Sequence, residues 1–121
     1  MTKSLNHKNS AAALAPVADY FKMLSEVSRL QILNSLKVGE MNVTQLSEET
    51  GLGQANLSKH LKILTQAGIL TRKPVGVSVY YEISDPMIFD LCELVCDRLT
   101  DRIQEQADRL HQLKAFSTIV K

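Results

Sequence analysis

The sequence has no tryptophan, few aromatic residues and no apolar segment long enough to cross a bilayer. Aromatic residues make up 5% of the 121 residues, whereas 45% of the residues are hydrophobic. Because most of these are Leu, Ile and Val, we expect one mainly helical domain with an aliphatic core. A membrane-spanning helix needs about 20 apolar residues, and Met1–Ser10 lacks the apolar segment of a signal peptide. The sequence therefore predicts a cytoplasmic protein without a membrane partner.

Acidic residues are missing from one segment of a chain whose net charge is only +1. Residues 50–81 contain four Lys or Arg and no Asp or Glu, whereas residues 82–109 contain three basic and eight acidic residues. Such an asymmetry indicates one positive surface suited to a phosphate backbone and one surface turned away from it.

Three short helices are predicted before the acid-free segment. The first carries Pro16 in its first turn, and the second begins after the cap Ser25 and ends at Gly39. A third helix begins with a capping box formed by Asn42 and Gln45. The apolar residues expected to form the buried face of the second helix are Leu30, Leu33 and Leu36.

A fourth helix and two strands follow. The helix runs from Gln54 to Ala67, the strands cover residues 69–73 and 77–83, and Pro74–Gly76 forms the turn between them. The alternating residues expected on one buried face of the second strand are Val77, Val79, Tyr81 and Ile83. Two helices joined by a glycine-containing turn and followed by a hairpin indicate a winged helix-turn-helix fold.

A long amphipathic helix from Asp85 to about Phe116 ends the chain. Its apolar stripe is Ile88, Leu91, Cys92, Val95, Leu99, Ile103, Gln106, Leu110 and Leu113. A small domain cannot cover a stripe of this length, so dimerisation through the terminal helices is expected. We divide the chain into a disordered tail (residues 1–10), a winged helix-turn-helix domain (11–84) and a dimerisation helix (85–121) that belongs to the same compact domain.

The predicted DNA contacts lie on the fourth helix and the hairpin. Gln, Asn and Ser side chains at the start of a recognition helix reach base edges, while Lys and Arg bind guanine or phosphate. Arg72 and Lys73 lead into the wing tip and are expected to contact phosphates or the minor groove. The alternative is that all these residues are ordinary solvated surface positions. The candidates on the helix are Gln54, Asn56, Ser58, Lys59, His60 and Lys62.

Several motifs together resemble the arsenic-repressor (ArsR/SmtB) family of winged-helix regulators. The matching segments are Met23–Leu33, Gln45–Ser47, Leu57–Leu64, Ala67–Leu70 and Val79–Tyr81. The resemblance implies a bacterial homodimeric repressor that leaves its pseudo-palindromic operator when an effector binds. It also implies that Gln54, Ser58, Lys59 and His60 face the operator.

The sequence departs from this family at its metal sites. Asn42 and Thr44 stand where soft-metal-binding members have a Cys-x-Cys motif. No histidine occurs between His60 and His111, so the zinc site on the terminal helix is missing too. Val27 stands where the family usually has Pro, which removes a helix-start signal but no reactive group. Gly53 stands where the family often has Ser, and Gly is also tolerated at an N-cap.

Cys92 and Cys96 are the only cysteines in the sequence, and a spacing of four places them on one helix face. Two thiolates can bind a soft ion such as As(III), Cd(II) or Zn(II), or react with oxidants. Free cysteines also pack as small hydrophobic residues, and this alternative stays open. Other possibilities are a repressor without a thiol effector, and a winged helix that binds RNA or another protein. No arrangement of residues supports catalysis.

Overall fold

The computed structural model describes residues 9–120, with side chains up to residue 117. The chain divides into two compact units, one ending at Asp85 and the other beginning at Pro86. Most of the expected disordered tail, residues 1–8, lies outside the described residues.

Four helices precede the hairpin in the first unit. The third and fourth helices form the helix-turn-helix, and Gly51 between them adopts a left-handed φ of 75° that favours glycine. The helices are α1 (Ala11–Met23), α2 (Val27–Ser35), α3 (Val43–Thr50) and α4 (Gln54–Gln66), with a 3₁₀ turn at Leu36–Val38 after α2.

The beginnings of α1 and α2 differ from the prediction. Pro16 is the sixth residue of α1 and therefore lies in the second turn, where its missing N–H leaves one helical hydrogen bond unmade. Ser25 does not cap α2, because its hydroxyl donates to the carbonyl oxygen of Lys22 at 2.8 Å. Glu26 occupies the N-cap position instead, without a side-chain capping bond.

The buried face of α2 agrees with the prediction at Leu33 and Leu36 but not at Leu30. Leu30 is 41% exposed, whereas Arg29 is 8% exposed. A spacing of three, four and seven residues from Arg29 marks one face of a helix. The side chains buried on this face of α2 and in the following turn are Arg29, Ile32, Leu33 and Leu36.

The predicted capping box at the start of α3 is confirmed. Asn42 Oδ1 accepts from the backbone N–H of Gln45, and Gln45 Oε1 accepts from the backbone N–H of Asn42, both at 2.9 Å. The two bonds satisfy two donors that a helix start otherwise leaves unpaired. Fully buried aliphatic side chains then hold the first unit together: Ile32, Leu46, Leu57, Leu61 and Leu64.

The wing is a three-stranded antiparallel sheet rather than a two-stranded hairpin. Its strands are β1 (Met41–Asn42), β2 (Leu70–Val75) and β3 (Ser78–Ile83), in the order β1-β3-β2. β1 was not predicted because two residues carry no periodic signal. Since β1 is followed directly by α3, its pairing with Tyr80 and Tyr81 ties the wing to the helix-turn-helix.

The hairpin turn is shorter than the predicted Pro74–Gly76 turn and lies further along the chain. Val75 pairs with Ser78 across a two-residue turn of Gly76 and Val77. Gly76 has a φ of 61°, and a glycine with positive φ in the first turn position is the pattern of a type II′ turn. The prediction that Val77 is buried is wrong, since this residue is 106% exposed. All six residues of β3 are partly exposed, so the expected clean alternation of burial is absent.

The second unit consists of α5 (Met87–Val120), a helix of 34 residues. At 1.5 Å per residue it is roughly 51 Å long. Large apolar side chains 49–70% exposed recur along it: Leu94, Val95, Leu99, Ile103, Leu110, Leu113 and Phe116. Even so, within residues 9–120 no helix is long and apolar enough to span a membrane.

Candidate nucleic-acid interface

One face of α4 is polar and exposed, while the other face packs into the core. The buried face consists of Leu57, His60, Leu61 and Leu64. Among the described residues, no acidic side chain forms an ion pair with Lys59 or Lys62. Their charges are therefore available to an anionic partner. The predicted contacts of α4 that are exposed are Gln54, Asn56, Ser58, Lys59 and Lys62.

His60 differs from the other five predicted contacts on α4. Its side chain is buried, and its Nδ1 accepts a hydrogen bond from Arg29 Nε at 3.2 Å. A guanidinium is always a donor, so this bond requires an unprotonated Nδ1. Glu26 Oε2 lies 3.9 Å from the same nitrogen. The imidazole is thus buried inside the first unit and does not lie on the exposed polar face with Lys59.

Arg72 and Lys73 are adjacent in β2, so their side chains project from opposite faces of the hairpin. Arg72 is exposed. Lys73 is partly exposed, and its Nζ lies 2.9 Å from Glu40 Oε2 and 3.7 Å from Glu82 Oε2. The hydrogen bond and charge of Glu40, with a further contribution from Glu82, raise the pKa of Lys73 above its ordinary value of 10.5.

The charge of Lys73 is therefore shared with two carboxylates. Glu82 immediately follows the acid-free segment and lies diagonally across the hairpin from Lys73, because Thr71 pairs with Glu82 and Lys73 with Tyr80. Glu40 comes from the loop before β1. This neighbourhood does not show in the charge pattern along the chain, because Glu40 and Glu82 approach Lys73 only across the sheet.

Arg29 is the residue of the site that the sequence analysis missed. A signal was present, because Arg29 precedes Ile32, Leu33 and Leu36 by three, four and seven residues and so shares their face. An arginine on a buried face must find hydrogen-bond acceptors inside the protein, and Arg29 finds one of them on α4.

The two cysteines lie in the first third of α5. Cys92 is partly buried and Cys96 is exposed, and they are not joined in a disulfide. Within the part of the chain that the structure describes, no group of three or more His, Cys, Asp or Glu side chains is placed to hold a metal ion. One chain therefore offers a soft ion two sulfur ligands at most.

The short α3, the exposed polar face of α4 and the adjoining wing define a winged helix-turn-helix protein of the DNA-binding class. Residues 26–72 match the family model described as bacterial regulatory protein, arsR family. The chain belongs to this family of transcriptional regulators, as its motifs predicted.

Similarity to known regulators extends well beyond the matched core. The transcriptional repressor PagR of Bacillus anthracis is 31% identical over 96 residues, which cover 78% of this chain and 96% of PagR. A homodimeric winged helix-turn-helix DNA-binding domain from Mycobacterium bovis is 30% identical, with a TM-score of 0.68 over 80% of this chain and 93% of that domain. The antimony-specific transcriptional repressor AntR is 27% identical, with a TM-score of 0.71 over 82% of this chain and 90% of AntR.

Proposed function

We propose that the protein is a homodimeric repressor that binds a pseudo-palindromic operator. The exposed polar face of α4 carries this proposal, since its side chains suit base edges and phosphates and its lysines are not paired with described acids. In this arrangement the two α4 helices enter successive major grooves about one helical turn apart. The direct contacts that we assign are Gln54, Asn56, Ser58, Lys59, Lys62, Arg72 and Lys73.

Uncovered apolar surface on both terminal helices supports the dimer. None of the side chains of α1 is buried, although this helix carries Leu14, Val17 and Phe21. Most of the α5 stripe is exposed as well: Val95, Leu99, Ile103, Leu110 and Leu113 are 49–67% exposed, whereas Ile88 near the start of the helix is buried. Exposed apolar surface of this extent is typical of protein interfaces, and the similar domain from Mycobacterium bovis is homodimeric. A second copy of the chain is therefore the partner that we assign to both helices.

Fluorescence anisotropy tests this function directly. The purified protein is titrated against a labelled duplex from upstream of its own transcription unit, and against an unrelated duplex of equal length, over a series of salt concentrations. We expect a clear preference for the upstream duplex and a binding constant that falls steeply with salt. Equal affinity for the two duplexes, or a strictly monomeric protein in sedimentation at micromolar concentration, contradicts the proposal.

We further propose that Cys92 and Cys96 release the operator by binding a soft metal or metalloid ion, or by oxidation. The spacing of the two thiols on one helix and the antimony specificity of the similar repressor AntR support this choice. Since the described residues of one chain include no group of three possible metal ligands, we assign a third ligand for As(III) or Cd(II) to the second subunit or to solvent. An effector that prefers the conformation unfit for DNA must lower operator affinity by the same factor.

The test compares the native protein with the double variant Cys92→Ser, Cys96→Ser. Arsenite, cadmium, zinc and hydrogen peroxide are added separately to the preformed operator complex. We expect at least one of them to release the native protein and none to release the double variant. Release of both proteins places the sensor elsewhere. Release of neither favours a repressor without a thiol effector, with packing as the role of the cysteines.

A further inference from the structure

The guanidinium of Arg29 joins three helices in the first unit. Its Nε donates to His60 Nδ1 on α4 at 3.2 Å. Its Nη1 donates to the carbonyl oxygen of Met23 at 3.3 Å and to that of Lys22 at 3.5 Å, both at the end of α1. Arg29 itself belongs to α2, and Glu26 Oε2 balances its charge at 2.7 Å from Nη2.

Arginine is the residue type that this junction requires. Its planar fork carries five N–H donors in fixed directions, so one side chain can reach acceptors on several elements at once. The cation also lies at the carboxyl end of α1, where the helix dipole favours positive charge. Lysine is a single point charge on a flexible stem and cannot keep all these directions together.

The bond to His60 ties the buried side of α4 to α2 and, through Arg29, to the end of α1. His60 directly follows Lys59, which lies on the exposed polar face. A helix with its side chains is about 5–6 Å in radius, so a rotation of 20° about its axis moves a side-chain tip by about 2 Å. Hydrogen bonds to base edges tolerate only a few tenths of an ångström. Base recognition by α4 therefore depends on the angle, about its own axis, at which the bond to His60 holds the helix.

We propose that Arg29 is a positioning residue that sets the orientation of α4 in the major groove through His60 and couples α4 to the end of α1. This inference rests on the proposed DNA-binding function and gives His60 an indirect role. Because α1 is one of the helices assigned to the dimer interface, the same junction transmits a displacement of that interface to the recognition surface. An arginine that served stability alone would leave the choice of DNA sequence unchanged in a folded variant.

Matched substitutions at His60 separate these roles. His60→Asn keeps an acceptor near the position of Nδ1, whereas His60→Leu keeps the side chain apolar and buried but leaves the Arg29 Nε–H without its acceptor. Arg29→Lys keeps the charge and removes the fork. Each variant is studied as the full chain, below the temperature at which circular dichroism shows the onset of unfolding.

The first measurement is the ratio of affinities for the upstream duplex and an unrelated duplex. We expect this ratio to fall about tenfold or more in Arg29→Lys and His60→Leu, the loss typical of one misaligned base contact, and to stay near the native value in His60→Asn. We expect the salt dependence of binding to stay unchanged in all three, because no phosphate contact is removed. A native ratio in His60→Leu, or equal losses in His60→Leu and His60→Asn, overturns the proposal. A weaker salt dependence in Arg29→Lys identifies Arg29 as a direct phosphate contact and overturns it too.

The second measurement needs no DNA. Backbone amide chemical shifts of Arg29→Lys, measured by NMR, are expected to change along α4 from Ser58 to Lys62 as well as beside residue 29. Unchanged shifts in α4 overturn the positioning role even where the native protein binds its operator. If the shifts along α4 do change but the native protein does not prefer the upstream duplex, the results support the junction at Arg29 and refute the proposed DNA-binding function.

Discussion

Lys59→Gln gives a quantitative test of the interface on α4. Lys59 is exposed on the polar face of α4, and no described acid forms an ion pair with it. Each lost phosphate contact lowers the slope of log K against log salt by about 0.9, and a dimer loses two such contacts, so we expect a decrease of about 1.8. Between 50 and 200 mM salt, the affinity of the native protein should therefore fall about twelvefold more than that of the variant.

Lys37→Gln is the matched control for this measurement. Lys37 is an exposed lysine in the 3₁₀ turn after α2, outside α4 and the hairpin. Both variants change the net charge of the dimer equally, so a long-range effect of charge alters the two slopes alike. We expect the slope of Lys37→Gln to match that of the native protein. Equal slopes for the native protein and Lys59→Gln, measured by anisotropy, would exclude Lys59 from the interface.

Three further substitutions test other parts of the structure. Glu40→Gln removes the 2.9 Å partner of Lys73, so we expect tighter operator binding and a steeper salt dependence in the same assay; weaker binding would mean that the ion pair holds the wing in its DNA-binding position. Leu61→Ala leaves a cavity at a fully buried position of α4. It should lower the free energy of unfolding by about 2–5 kcal/mol in a urea titration followed by circular dichroism. A loss below about 1 kcal/mol would show that neighbouring side chains fill the cavity. Asn42→Ala removes the capping oxygen of α3 and should cost about 1 kcal/mol in the same titration, whereas an unchanged stability would show that water replaces the cap.

Local sequence signals determined most of the helical framework. The capping pair Asn42 and Gln45 fixed the start of α3, because their two bonds lie within four residues of the chain. The leucines of α4 fixed its buried face in the same way. These features depend on short-range spacing, and the chain carries that information without reference to distant residues.

The wing was predicted less well because pairing across strands is not local. β1 has two residues and exists only because Tyr80 and Tyr81 lie beside it. The hairpin turn is Gly76 and Val77 instead of Pro74–Gly76, since the positive φ of Gly76 suits the first position of a two-residue turn. Val77 consequently changed from a buried strand position to a fully exposed one.

The sequence by itself was enough to predict the winged helix-turn-helix fold and the positive charge of the segment that contains α4. It also showed the resemblance to the family that the comparisons confirmed. Only the tertiary structure decided which of the basic and polar residues on α4 and the wing are exposed and which are engaged by other side chains. It placed Lys73 between Glu40 and Glu82 and buried His60 against Arg29. The physical reason is that charge pairing and hydrogen bonding act through space over about 3–4 Å, and the partners that satisfy these side chains lie 9 to 33 residues away along the chain.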